Sequence, residues 1–123
     1  MALILVIDDD PALRQLMRRI LSDAGHSVVE AENGAVGVKC ARQHRPTIAI
    51  TDILMPEKEG IETIRELRRL QLGVKIIAMS GGTSAKGMLY LDAAKTLGAD
   101  ATLLKPFRRA DLLVAVNDLL TRG

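Results

Sequence analysis

The stretch LILVIDDDPAL, residues 3–13, decides how the chain is read. Residues 2–7 are an unbroken apolar run, as expected of a strand buried on both faces. Asp8, Asp9 and Asp10 follow at once. Two carboxylates about 4 Å apart repel by ~1 kcal/mol in water and by ~4 kcal/mol at an effective dielectric of 20. Acids at the end of a buried segment therefore need a cation or another role. Asp10 has one: it precedes Pro11, and Asp followed by Pro reads as a helix N-cap with proline at the first helical position. Asp8 and Asp9 are left without such an explanation.

Outward from this stretch, two patterns alternate. Short apolar, β-branched runs predict strands at Leu3–Ile7, Ser27–Ala31, Thr47–Thr51, Val74–Met79 and Ala101–Leu104. Helical periodicity fills the gaps. A first helix is expected from Pro11 to Ala24, with Leu13, Leu16, Met17, Ile20 and Leu21 inward, Arg14, Gln15 and Arg18 outward, and Gly25 as its stop. Further helices are expected at Gly34–Gln43, at Lys58–Leu70 before Gly73, at Ser84–Leu97 before Gly98, and at Arg108–Leu120. Five strand–helix units with apolar strands predict an α/β fold: a doubly wound, five-stranded parallel sheet with helices on both faces. Ligands of such sheets bind beyond the carboxyl ends of the strands.

Composition narrows the function classes. With 123 residues, 48% hydrophobic and 26% charged, the chain suits one soluble domain. No apolar run approaches the ~18 residues needed to cross a membrane, and the N-terminus lacks the basic start of a signal peptide. The single Cys40 excludes an internal disulfide and fits a reducing, cytoplasmic setting. Net charge is only +2, basic residues are interleaved with acids, and aromatics are 2%. Nucleic-acid binding by this chain is therefore not expected.

Four of the five expected strand ends carry a polar group: Asp8 and Asp9, then Asp52 in ITDILMP, Ser80 in AMSGG, and Lys105 in LLKPF. Three converging carboxylates make a hard oxygen site, which suits Mg²⁺ and would offset the opening repulsion. With a lysine and a hydroxyl beside it, an aspartate can act as nucleophile towards phosphorus. There is no Walker-type loop to cradle a nucleotide.

The motifs LVIDDD, TDILMP, MSGG and KPF, in this order along essentially the whole chain, resemble those of the receiver domain of two-component response regulators. The resemblance implies a flavodoxin-like fold with strand order 2-1-3-4-5 and one receiver domain over residues 1–123 with no output domain. It implies that Asp52 accepts a phosphoryl group from a histidine kinase or histidine phosphotransfer protein. Asp8, Asp9, Asp52 and the Leu54 backbone carbonyl would hold Mg²⁺, and Ser80 and Lys105 would contact the phosphoryl group. The peptide bond before Pro106 is expected to be cis, and a downstream protein partner would read the switched surface. Such a chain is a signalling switch that assists its own phosphorylation and dephosphorylation.

Three departures matter. Thr102 stands where receivers often carry an aromatic ring, so it is at most a secondary switch position. The switch hydroxyl is Ser80 where threonine is more usual. Gly81, Gly82 and Gly87 loosen the segment after the fourth strand, which points to that loop and the helix carrying Tyr90 as the readout. Two rivals remain. One is a degenerate, phosphate-independent module. The other is a phosphatase of the haloacid dehalogenase type, which would use the D-x-D formed by Asp8 and Asp10 but has Ala12 where that motif wants Thr or Val.

Overall fold

The computed structural model describes residues 1–53, 60–70, 73–81 and 92–121. Five strands, β1 (Leu3–Ile7), β2 (Ser27–Ala31), β3 (Ile48–Asp52), β4 (Lys75–Gly81) and β5 (Ala101–Lys105), form one sheet in the order 2-1-3-4-5. Every pairing is parallel. The described helices are α1 (Pro11–Asp23), α2 (Gly34–His44), α3 (Gly60–Arg69), α4 (residues 92–97) and α5 (Arg109–Thr121). Among the described residues no helix is long and apolar enough to cross a membrane.

The five expected strands, the first, second and last expected helices and the described parts of the other two are present, with the ends that are described moved by at most two residues. The expected helix starts at Lys58 and Ser84 lie outside the described residues. β3, β4 and β5 each run on to include the polar residue at the rim, Asp52, Ser80 with Gly81, and Lys105. Backbone pairing continues past the last apolar side chain, because the ladder is indifferent to what the side chain carries. Three glycines expected to stop helices, Gly25, Gly73 and Gly98, have φ of 95°, 71° and 118°, a region open to glycine at little cost.

Strand side chains alternate between two cores. Leu5, Ile7, Ala49, Ile76 and Ala78 pack with Val38 and Ala41 of α2, Ile64 and Leu67 of α3, and Ala94 of α4. Ile4, Val6, Ile48, Ile50, Ile77, Met79 and Leu103 pack with Met17, Ile20 and Leu21 of α1 and Leu112, Val116 and Leu119 of α5. The central strand β3 is buried throughout, whereas β5, at the sheet edge, leaves Leu104 42% exposed. Leu16 departs from the expectation of an inward residue: it is 52% exposed. The inward stripe of α1 is set by Leu13, Met17, Ile20 and Leu21, and Leu16 lies on its flank. Arg14 departs in the opposite sense, being half-buried rather than solvated.

The rim at the amino ends of the strands is densely fastened. Arg68 of α3 donates from Nη1 to Val74 O at 2.8 Å and from Nε to Gly98 O at 2.9 Å, and it pairs with Asp100. Asp100 Oδ2 also accepts from Ile76 N–H at 2.7 Å. His26 Nδ1 accepts from Ala2 N–H at 3.2 Å, and the Lys75 ammonium donates to Leu119 O. At the opposite rim Asp10 does what its place before Pro11 predicts: its Oδ1 accepts from Ala12 N–H at 3.0 Å and Leu13 N–H at 3.4 Å.

Two measurements check these roles. Asp10→Ala should lower the unfolding free energy by about 0.5–2 kcal/mol in urea titration; an unchanged value would show that the cap bonds contribute nothing. His26 has its pKa lowered from 6.5, first by burial and then by the N-terminal charge, and its bond to Ala2 requires an unprotonated Nδ1. The unfolded chain therefore binds the proton more readily. Its contribution is present above pH 6.5 and is lost as pH falls below that value towards the folded pKa. Between about pH 7 and about pH 5 the urea midpoint should fall further in the wild type than in His26→Gln; equal falls would remove His26 from the acid response.

Candidate functional site

The pleat brings the key groups to one rim. In β1 the row Ile4–Val6 faces the core under α1 and α5, and Asp8 is next in that row. In β3 the row is Ile48–Ile50 followed by Asp52, and in β5 it is Ala101–Leu103 followed by Lys105. Three rows of core side chains thus end in two acids and a base on the same side of the sheet. Asp8 is 0% and Asp52 6% exposed.

The base lies between the acids. Lys105 Nζ donates to Asp8 Oδ2 and to Asp52 Oδ2, both at 2.9 Å. Burial acts to lower the Lys105 pKa, but its hydrogen bonds to Asp52 and Asp8 and the negative charge of those carboxylates outweigh it and hold the ammonium above its ordinary value of 10.5. The repulsion evident in the sequence is therefore offset in part by the protein's own cation. Asp8, Asp9 and Asp52 each offer a carboxylate oxygen, and these lie within 4.8 Å of one another. Three carboxylates and one ammonium leave a formal charge of minus two, which a divalent cation matches. All the donors are oxygens, and Asp9 is exposed, which leaves a side open for water or a phosphoryl oxygen. The donor set fits Mg²⁺.

Asp10 does not join this cluster, because its carboxylate is turned onto its own helix. Asp8 and Asp10 are thus not a converging pair, and the D-x-D rival loses its geometry. Ser80 follows Met79, the register partner of Asp52. It is 0% exposed, and its Oγ has no hydrogen-bond partner among the described residues. The Lys105–Pro106 peptide is cis, as expected. Thr102 is half-buried, pairs in register with Ala78, and lies in the strand row opposite to Lys105. Leu54, Gly82, Gly87 and Tyr90 lie outside the described residues.

Two contributors are not legible in the local pattern. Gly60, the first residue of α3, packs against the phosphoacceptor candidate's own backbone: a Cβ there would stand 2.2 Å from Asp52 O and 2.3 Å from Ile53 Cα. A poor helix former opening an amphipathic helix is the one sequence signal of this. Arg14 donates from Nη1 to Asp8 O at 2.7 Å, and nothing in the spacing of α1 announces it. Beside the site, Asp10, Leu13, Leu16, Lys105, Pro106 and Phe107 line a groove of about 370 Å³.

Comparison with known proteins agrees with this geometry. Residues 4–117 match the response regulator receiver domain family. The chain is 33% identical over 118 residues to the chemotaxis protein CheY of Halobacterium salinarum, covering 96% of each, and 35% identical over 118 residues to CheY of Bacillus subtilis, covering 95% and 96%. It is 37% identical over 120 residues to the response regulator MprA of Mycobacterium sp., where it spans 97% of this chain but only 50% of that relative's length. Among solved structures, a response regulator receiver domain protein from Clostridium thermocellum superposes with a TM-score of 0.91 at 27% identity, over 99% of this chain and 96% of that one. Vibrio cholerae CheY4 superposes with a TM-score of 0.88 at 29% identity, over 97% and 98%. With the sheet order, the acid cluster and the lysine at the rim all in agreement, the chain belongs to the response regulator receiver domain family of two-component signalling.

Proposed function

We propose that Asp52 is the phosphoacceptor of this receiver, taking the phosphoryl group from a histidine kinase or a histidine phosphotransfer protein. The observation that carries the reading is Ser80: a wholly buried hydroxyl without a partner among the described residues, next to the strand position paired with Asp52. A buried orphan of this kind is costly and is explained if a phosphoryl oxygen is its partner in the modified state. In the reaction an Asp52 carboxylate oxygen attacks phosphorus. An O–P bond forms as the P–N bond to the donor histidine breaks, and the electron pair of that bond stays on the imidazole nitrogen. Lys105, 2.9 Å from Asp52 Oδ2, orients the carboxylate and places positive charge beside the transferred oxygens.

Asp8, Asp9 and Asp52, with the Leu54 carbonyl as a further ligand, would hold Mg²⁺, which when bound shields the charge of a phosphoryl donor approaching three acids. The groove beside α1, with exposed Leu16 and the Pro106–Phe107 turn, is the face we assign to the phosphodonor protein. Thr102 offers a hydroxyl and not a ring, so we assign the readout for the downstream partner to the segment that follows Gly81.

Treatment with a small-molecule phosphodonor and Mg²⁺ should add one base-labile phosphoryl group, and Asp52→Asn should abolish it; undiminished labelling in that variant would overturn the assignment. Ser80→Ala removes the orphan hydroxyl, so its stability should equal that of the wild type or exceed it by up to about 1–2 kcal/mol. The structural response to beryllofluoride, followed by amide chemical shifts, should nevertheless be lost. A marked drop in stability with the response retained would show that Ser80 is a packing residue.

A further inference from the structure

Arg14 reaches the acidic site through the backbone. Its Nη1 donates to the carbonyl oxygen of Asp8 at 2.7 Å, while its Nε is held by Glu30 Oε1 of β2 at 3.2 Å. Glu30 Oε2 also accepts from Arg18 Nε at 2.6 Å, so two successive turns of α1 grip one carboxylate. The Arg14 and Glu30 side chains are only 17% and 23% exposed, so the pair is partly shielded from solvent.

The bond falls where β1 loses its ladder. The last register pairs of β1 are Ile7 with Ala31 and with Thr51, and one residue on, the Asp8 carbonyl sits in a residue of 0% exposure. A buried carbonyl past the ladder needs a donor, and the Arg14 guanidinium supplies it. Asp8 is then fixed at every polar position: N–H to Ala31 O at 3.1 Å, carbonyl to Arg14, Oδ1 to Asp10 N–H at 2.9 Å and Oδ2 to Lys105 at 2.9 Å.

We propose that Arg14 is a positioning residue for the divalent-cation site: by holding the Asp8 carbonyl it sets the direction of the Asp8 carboxylate, and it makes cation affinity depend on the Arg14–Glu30 pair between α1 and β2. The proposal rests on the reading of Asp8, Asp9 and Asp52 as the Mg²⁺ ligands. It separates cleanly from a simple charge effect. An arginine near a cation site repels the cation, so its removal should tighten binding on Coulombic grounds alone. A positioning role predicts the opposite sign, as is found when the outer partners of metal ligands are removed.

The test is Mg²⁺ titration of the full chain, followed by amide chemical shifts and by calorimetry. Arg14→Met should weaken Mg²⁺ binding roughly 10-fold. Arg18→Met, which loses the same charge from the same Glu30 and makes no bond to Asp8, should bind as the wild type does. Arg14→Lys keeps the charge and should fold even if Arg14→Met does not. One ammonium cannot serve both Glu30 and the Asp8 carbonyl as the arginine fork does, so a smaller loss in the same direction is expected. Affinity equal to or tighter than wild type in Arg14→Lys or in folded Arg14→Met would overturn the proposal. Absence of Mg²⁺ binding by the wild type itself would instead overturn the underlying reading of the acid cluster, and this proposal with it.

Discussion

Asp8 and Asp52 stand buried on neighbouring parallel strands, and their mutual repulsion is the constraint to which the rest of the rim responds. Their carboxylate oxygens lie within 4.8 Å of each other; two such charges about 4 Å apart at an effective dielectric of 20 repel by roughly 4 kcal/mol, a large share of the ~5–15 kcal/mol by which a small domain is usually stable. Lys105 answers it directly, bridging both carboxylates at 2.9 Å. That bridge ties the end of the edge strand β5 to the ends of β1 and β3, so the sheet closes at its top through charge as well as through its ladder. Any cation or phosphoryl group that enters must share or displace those bonds, which makes the lysine's position sensitive to occupancy.

The two rims of the sheet are built differently. At the amino ends of the strands, Arg68, Asp100, His26 and Lys75 turn to backbone groups within hydrogen-bond range. At the carboxyl ends, three carboxylates cluster, one ammonium bridges two of them, and Ser80 Oγ is buried without a partner among the described residues. The contrast follows from the parallel fold, in which all strand ends of one polarity meet on one side. Charges are paired with backbone groups at one end, and the clustered carboxylates and the orphan Ser80 hydroxyl are concentrated at the other. Gly60 and Arg14 belong to the second end while acting on backbone: one lets α3 approach the Asp52–Ile53 peptide, the other holds the Asp8 carbonyl.

Much of this was legible along the chain. Alternating strand and helix periods, glycine stops and the Asp10–Pro11 start are local signals, set by bonds between residues a few positions apart, and the five strands and the cap of α1 follow from them. The placement of Asp8, Asp52, Ser80 and Lys105 at strand ends also follows, because each stands at the end of an apolar run. Family resemblance, not periodicity, supplied the 2-1-3-4-5 order.

What the sequence by itself determined, then, is which residues lie at the rim; what the tertiary structure decided is which of them touch. Lys105 and Asp8 are 97 positions apart, and no period encodes that their side chains meet on one side of the rim, since that depends on the registers of β1 against β3, β3 against β4 and β4 against β5. Leu16 was expected inward and is exposed, while Arg14 was expected outward and is half-buried. Both outcomes turn on a rotation of α1 that is fixed by Met17, Ile20 and Leu21 meeting the sheet and by Glu30 arriving from β2. A helical stripe defines a face only to within its flanks, and the neighbour that packs against it decides which flank is covered.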